Sequence, residues 1–290
     1  MFRVGKLAGL SSYDFLLNTI LPVTRNIRML AVDLDGTTVG HDGEVAPRVL
    51  EALAQAAQRG VRVVIATGRT PSGLRRFAQR MNIGGPAITT QGGLVVNMDT
   101  GEELHRLYMP RALAHEILAH KHKWPALCTV VYRSDHLFVD DLAMFEAHAD
   151  LVGVAAMQVD DLCSAVADHD PDKILFLTQL ERTREVFDTI LAFVGDRATV
   201  VQSHARIVEV NPLGADKGSA LAWLAEHFGI ARENVMAIGD QHNDVTMLRW
   251  AGLGVAMGNA SPEIQSVADV VTSHIDDDGV AAAIEQYVLR

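Results

Sequence analysis

Short apolar runs recur along this chain, each ending in an acidic or glycine-containing turn that opens a helix-like stretch. No other feature restricts the fold as strongly. Residues 28–33 read Arg-Met-Leu-Ala-Val-Asp and lead into Leu34-Asp35-Gly36. An unbroken apolar run of this length is the pattern of a strand buried on both faces of a parallel sheet. Residues 47–59 then place Val49, Leu50, Leu53, Ala54 and Ala57 at three- and four-residue spacing, an amphipathic helix that Gly60 stops. Residues 61–66 give a second strand, 72–81 a second helix and 86–89 a third strand. The far end resumes the rhythm: helix at 217–228, strand at 235–238, helix at 244–250, strand at 253–257, short helix at 261–268, strand at 270–271 and helix at 278–288. Such alternation predicts an α/β fold with a parallel sheet flanked by helices.

The middle of the chain breaks the pattern. Short strand-like runs at 94–97 and 103–108 surround Asp99-Thr100-Gly101, a hairpin signal. Helix-like stretches at 113–121 and 182–193 alternate with strand-like runs at 129–133, 173–178, 199–202 and 206–210, an α+β pattern. A connection from about residue 92 to about residue 208 is too long for one crossover and reads as an inserted domain. The expected division is an N-terminal extension at 1–26, a core at 27–91 and 209–290, and an insert at 92–208. At 290 residues the chain has room for both units, at roughly 150 residues per domain. Residues 1–23 read as a loosely docked helical extension, interrupted by Asp14 and Asn18 and without a leader-type cleavage pattern.

Charge narrows the function. Lysine and arginine number 25 against 36 acidic residues, a net charge of -11, which argues against a nucleic-acid backbone as partner. No apolar stretch reaches the about 18 residues of a membrane span, so no membrane partner is expected. Cys128 and Cys163 lack metal-ligand or disulfide-framework spacing, and a cytoplasmic setting fits them best.

Four signals sit where strands end or helices begin. Asp33 and Asp35, two residues apart at a strand end, project to the same side. Like charges that close are costly unless a cation or phosphoryl chemistry uses them, one attacking and the other moving a proton. Thr67-Gly68-Arg69 opens a helix with a hydroxyl and free N–H groups, an anion site. Asp216-Lys217-Gly218 places an ammonium at another helix start. Asp240 and Asp244 offer hard oxygen ligands of the kind Mg2+ prefers, or groups that orient such ligands. Singly, each signal also fits a helix cap or a solvated loop. Their common placement on the carboxyl edge of one sheet is what points to a ligand site.

Together these segments resemble the four motifs of the haloacid dehalogenase (HAD) superfamily: Asp33-Leu-Asp-Gly-Thr37, Ala66-Thr-Gly-Arg69, Gly214-Ala-Asp-Lys-Gly218, and Gly239-Asp240 with Asn243-Asp244. The layout is similar to its Cof-type phosphatases, as are Gly254-Val-Ala-Met-Gly-Asn-Ala260 and Ala268-Asp269-Val-Val-Thr272. The resemblance spans about residues 29–288 and implies a Rossmann-like core with an α+β cap inserted between the second and third motifs. It implies a Mg2+-dependent phosphatase acting on small phosphorylated metabolites through an aspartyl-phosphate. Asp33 would be the nucleophile and Asp35 the general acid and base. Thr67 and the Leu34 N–H would hold phosphoryl oxygens, Lys217 would balance charge, and Gly68, Arg69, Gln91, Gly92 and Asn243 would lie against the substrate. The metal would sit among Asp33, the Asp35 carbonyl and Asp240, with Asp244 orienting or joining the set. The chain departs from the family at Gln91, which stands where an asparagine is usual. Alternatives are a phosphomutase or a non-catalytic phosphometabolite-binding protein. The assembly would be a monomer or homodimer. Candidates for cap residues facing the core are Gly92, Gly93, Arg133, His136 and His204.

Overall fold

The computed structural model describes residues 26–40, 42–148 and 154–290. The extension expected at 1–25 lies outside them. Five strands come first: β1 (Met29–Asp33), β2 (Arg62–Ala66), β3 (Pro86–Thr89), β4 (Leu94–Asn97) and β5 (Glu103–Arg106). Six follow: β6 (Ala126–Arg133), β7 (His136–Val139), β8 (Ala156–Gln158), β9 (Lys173–Thr178), β10 (Ala198–His204) and β11 (Ile207–Pro212). Then come β12 (Val235–Gly239), β13 (Leu253–Ala256) and β14 (Val270–Val271). They form an eight-stranded sheet in the order β14-β13-β12-β1-β2-β3-β4-β5 and a six-stranded sheet in the order β10-β11-β9-β6-β7-β8.

Strand β1 lies centrally and pairs in parallel with β12 on one side and β2 on the other. The chain winds outward through β2 and β3, then returns and winds the opposite way through β12, β13 and β14. The carboxyl end of β1 is therefore a topological switch point, where neighbouring connections diverge and leave a crevice.

The principal helices are α1 (Pro47–Gln58), α2 (Pro71–Met81), α3 (Arg111–His120), α4 (Thr183–Val194), α5 (Lys217–His227) and α6 (Gly279–Tyr287). Proline starts α1 and α2, where its missing N–H costs nothing. Thr70 caps α2 by accepting from the Gly73 N–H, and Asn82 ends it in a left-handed conformation. Leu53, Leu74 and Ile284 join Leu30, Val32 and Ile65 under one face of the large sheet. Leu221, Leu224 and Met247 join Ala31, Val64 and Ala237 under the other. Each such leucine contributes on the order of 2 kcal/mol of apolar burial. The small sheet packs α3 and α4 on one face, through Ile117, Val186 and Ile190 against Val131 and Phe176. Its other face carries Val130, Tyr132, Leu175 and Ile207.

One expectation needs correcting. The hairpin at 94–106, assigned from the sequence to the inserted segment, belongs to the large sheet. The tight turn Thr90–Gly92 reverses the chain so that β4 pairs antiparallel with β3 and β5 with β4. The chain leaves for the small sheet only after Arg106, whose guanidinium bridges Glu103 and Asp172 and so ties β5 to the start of β9. Among the described residues, no helix is long and apolar enough to cross a membrane.

Candidate active site

Asp33 is the last residue of β1, opposite Ala66 of β2, and Val32 pairs with Ile238 of β12. Register alone thus brings Asp33, Thr67 and Asp240 to adjacent strand ends. Gly36 turns the chain there with φ +86°, and a Cβ at this position would stand 2.7 Å from Asp240 Oδ2. Only glycine suits both demands. Asp216 caps α5 by accepting from the Ser219 N–H, and Lys217, the first residue of that helix, reaches back to β1. Its Nζ donates to Asp33 Oδ1 and to Asp244 Oδ1, each at 2.6 Å.

Asp244 shows how the fourth motif builds itself. Its Oδ2 accepts the N–H groups of Asp240 and Gln241, both at 3.0 Å, while its Oδ1 holds Lys217. Both oxygens are engaged, so this carboxylate orients the loop and the ammonium. Asp240 accepts from Thr37 Oγ1 at 2.7 Å and from Gln241 Nε2 at 3.1 Å. Asp33, Asp240 and Asp244 each offer a carboxylate oxygen within 4.8 Å of the others. All three are buried, as is Lys217.

Three buried carboxylates face a single ammonium. Burial, then repulsion from Asp244 and Asp240, holds the Asp33 carboxyl well above the usual carboxylate range, and Lys217 offsets this only in part. Burial and the neighbouring Asp244 push Asp240 up to about 6. Burial disfavours the Lys217 charge, but Asp244 and Asp33 outweigh it and hold its pKa above that of a free lysine. The all-oxygen donor set and its excess negative charge fit a hard divalent cation.

Asp35 stands apart. Its carboxylate is exposed and takes a bidentate ion pair from Arg69, with Nε and Nη2 each at 2.8 Å. Arg69 Nη1 is buried without a hydrogen-bond partner among the described residues. Thr67 is buried, and its Oγ1 accepts the Arg69 N–H at 3.2 Å. Leu34 is buried beside them.

Gln91 joins the motif loops to the small sheet. Its Oε1 accepts from Asn243 Nδ2 at 3.0 Å, and its Nε2 donates to Glu209 Oε1 at 3.2 Å. Its longer side chain is accommodated because residue 68 is glycine: a Cβ there would stand 2.4 Å from the Gln91 amide nitrogen. Gly92 has φ +93°, and a Cβ on it would meet the Asp216 carbonyl at 2.3 Å. It therefore allows close packing against α5. Of the residues expected to face the core from the insert, Arg133 bonds within the small sheet's own unit, to the Ala165 carbonyl, and His136 is exposed. Side chains that do cross near the site include Lys173, whose Nζ reaches the Gly68 carbonyl at 2.9 Å, Glu209, and Asp135, which accepts from the Ser72 N–H at 3.2 Å. Lys173 and Glu209 escaped the sequence reading. Their signal was a charged residue opening or interrupting an otherwise apolar strand run.

Comparison with known proteins identifies the family. The family model of haloacid dehalogenase-like hydrolases matches residues 30–284. The 5-amino-6-(5-phospho-D-ribitylamino)uracil phosphatase YcsE of Bacillus subtilis is 31% identical over 91% of this chain and 97% of its own length. The chloroplastic endoribonuclease YBEY of Arabidopsis thaliana is 32% identical over 88% of this chain, which spans 45% of that protein. The solved structure of BT1666, a phosphatase of the same superfamily from Bacteroides thetaiotaomicron, superposes with a TM-score of 0.78 at 27% identity, over 92% of this chain and 98% of that one. The chain belongs to the haloacid dehalogenase-like hydrolases, in their phosphatase branch.

Proposed function

We propose that this protein is a Mg2+-dependent phosphatase that hydrolyses small phosphomonoesters through an aspartyl-phosphate on Asp33. The observation that carries this reading is the Lys217 ammonium at 2.6 Å from Asp33, inside a cluster with Asp240 and Asp244. Asp33 attacks phosphorus, the bond to the alcohol oxygen breaks, and that oxygen takes a proton from Asp35. Asp35 then removes a proton from the water that hydrolyses the acyl-phosphate, releasing inorganic phosphate and restoring Asp33. Arg69 steers Asp35, and its Nη1, without a partner among the described residues, is placed to meet an anionic group beside it. Thr67 and the Leu34 N–H hold phosphoryl oxygens, and Lys217 steadies the charge that moves onto them. Asp33 and Asp240, with the Asp35 carbonyl, would hold Mg2+, which would supply the positive charge that lets a carboxylate approach a phosphate dianion.

In this reading the small sheet is a cap. It covers the site through Lys173, Glu209 and Asp135, excludes water, and selects the alcohol that leaves. The name of the Bacillus relative puts phosphorylated polyol and sugar derivatives first on a substrate panel. The test is release of inorganic phosphate from p-nitrophenyl phosphate and from that panel. Activity should vanish with EDTA and return with Mg2+. Turnover indifferent to chelation, or an isomerised sugar phosphate in place of free phosphate, would overturn the reading.

A further inference from the structure

The Thr67-Gly68-Arg69 loop offers three backbone carbonyls. Thr67 O accepts from the Gln91 N–H at 3.1 Å, and Arg69 O accepts from the Thr90 N–H at 2.9 Å. Both donors belong to the large sheet's own connection. The Gly68 carbonyl between them receives its hydrogen bond from Lys173 Nζ, at 2.9 Å, across from the small sheet.

That carbonyl shares a peptide unit with the Arg69 N–H, which lies 3.2 Å from Thr67 Oγ1. In a planar trans peptide the C=O and N–H point in opposite directions. Drawing the oxygen toward Lys173 therefore aims the N–H at the Thr67 hydroxyl. An ammonium on the carbonyl also polarises the unit and strengthens that N–H as a donor. Lys173 is itself held in place. Its Nζ donates to Glu209 Oε2 at 2.7 Å and lies 4.5 Å from the centre of the Tyr132 ring. Ser203 Oγ and Gln91 Nε2 donate to Glu209 Oε1 at 2.6 and 3.2 Å. Lys173 is 1% exposed and Glu209 3%.

We propose that Lys173 is a positioning residue: from the small sheet it fixes the Gly68–Arg69 peptide, and through it Thr67, in the orientation that binds a phosphoryl group. The phosphate site is thus complete only when the two sheets are apposed. The role in turnover rests on the phosphatase reading; the role in binding phosphate does not.

The test compares wild type with Lys173→Met/Glu209→Gln, which removes both charges together, and with Lys173→Arg, which keeps a cationic donor. Inorganic phosphate is titrated calorimetrically into each protein with Mg2+ present, kcat and KM are measured on p-nitrophenyl phosphate, and melting temperatures are recorded. Losing a charge-assisted hydrogen bond should weaken phosphate binding about tenfold in the double variant and lower kcat by a similar factor, with Lys173→Arg within about threefold of wild type. A folded double variant whose phosphate affinity and kcat stay within about twofold of wild type would overturn the proposal, as would a lowered melting temperature alone. If the double variant does not fold, Lys173→Gln is read by the same measurements. Lys173-dependent phosphate binding in a protein that hydrolyses nothing would overturn the phosphatase reading and leave the positioning role standing. A wild type that binds no phosphate would overturn both.

Discussion

Two buried polar clusters in this molecule are about equally dry and oppositely balanced. At the end of β1, Asp33, Asp240 and Asp244 share one cation, Lys217. On the small sheet, Glu209 faces Lys173 one to one, and both carboxylate oxygens have donors. In the first cluster burial and like charge push the Asp33 and Asp240 carboxyls upward, Asp240 to about 6. Buried charges that are paired and hydrogen-bonded stabilise an arrangement, whereas unbalanced ones are tolerated where chemistry or a cation uses them. On the proposed reading, the difference separates a site that reacts from one that aligns.

The sharpest way to break this comparison is Asp33→Asn. Turnover of p-nitrophenyl phosphate should fall at least about a thousandfold with an unchanged circular dichroism spectrum, since the proposed nucleophile is lost while one like charge is relieved. Near-normal turnover would remove the basis for calling the cluster reactive. Lys173→Met alone should do the opposite to stability. It leaves Glu209 buried and unpaired, at a cost of about 3–5 kcal/mol in urea unfolding, and adding Glu209→Gln should recover most of it. No recovery in the double variant would mean that the pair is not a balanced unit.

The third expectation concerns pH. A carboxyl whose pKa is raised on folding binds more protons folded than unfolded, so stability falls as pH rises between the two values. For Asp240 that window runs from 3.8 to about 6, and Asp33 shifts in the same direction. In EDTA the melting temperature should therefore drop between pH 4 and 7. On the proposed reading Mg2+ would take the place of the protons, so its stabilisation should grow over the same range, reaching about 2.7 kcal/mol at a hundredfold excess over its dissociation constant. A Mg2+ shift larger at pH 5 than at pH 7.5 would contradict the assignment. The smallest effect is expected for Gln91→Asn. The shorter amide cannot reach both Asn243 and Glu209, so about 1 kcal/mol is lost, readable as a modest fall in melting temperature.

Much of the large sheet could be read directly. Strand β1 ends at Asp33 as its apolar run does, and the starts of α1 and α5 follow from Pro47 and Asp216. These are local effects: periodicity, a proline, a capping carboxylate. Strands β7 and β8 went unread because four and three residues carry too little period to stand out. The hairpin at 94–106 was recognised as a hairpin and given the wrong partner, since a turn signal says which strands pair and not which sheet receives them.

The order of residues along the chain dictated that Asp33 would end a strand, Thr67 and Asp240 would directly follow one, and Lys217 would begin a helix. Parallel winding leaves little choice about which edge such positions share. Which charges became neighbours was decided by packing between elements far apart in the chain. Lys173 meets Gly68 across 105 residues, and Gln91 meets Glu209 across 118. A lysine at the head of an apolar strand looks like a boundary until the fold buries it, because its hydrogen-bond partners, the Gly68 carbonyl and the Glu209 carboxylate, lie where no local pattern brings them near.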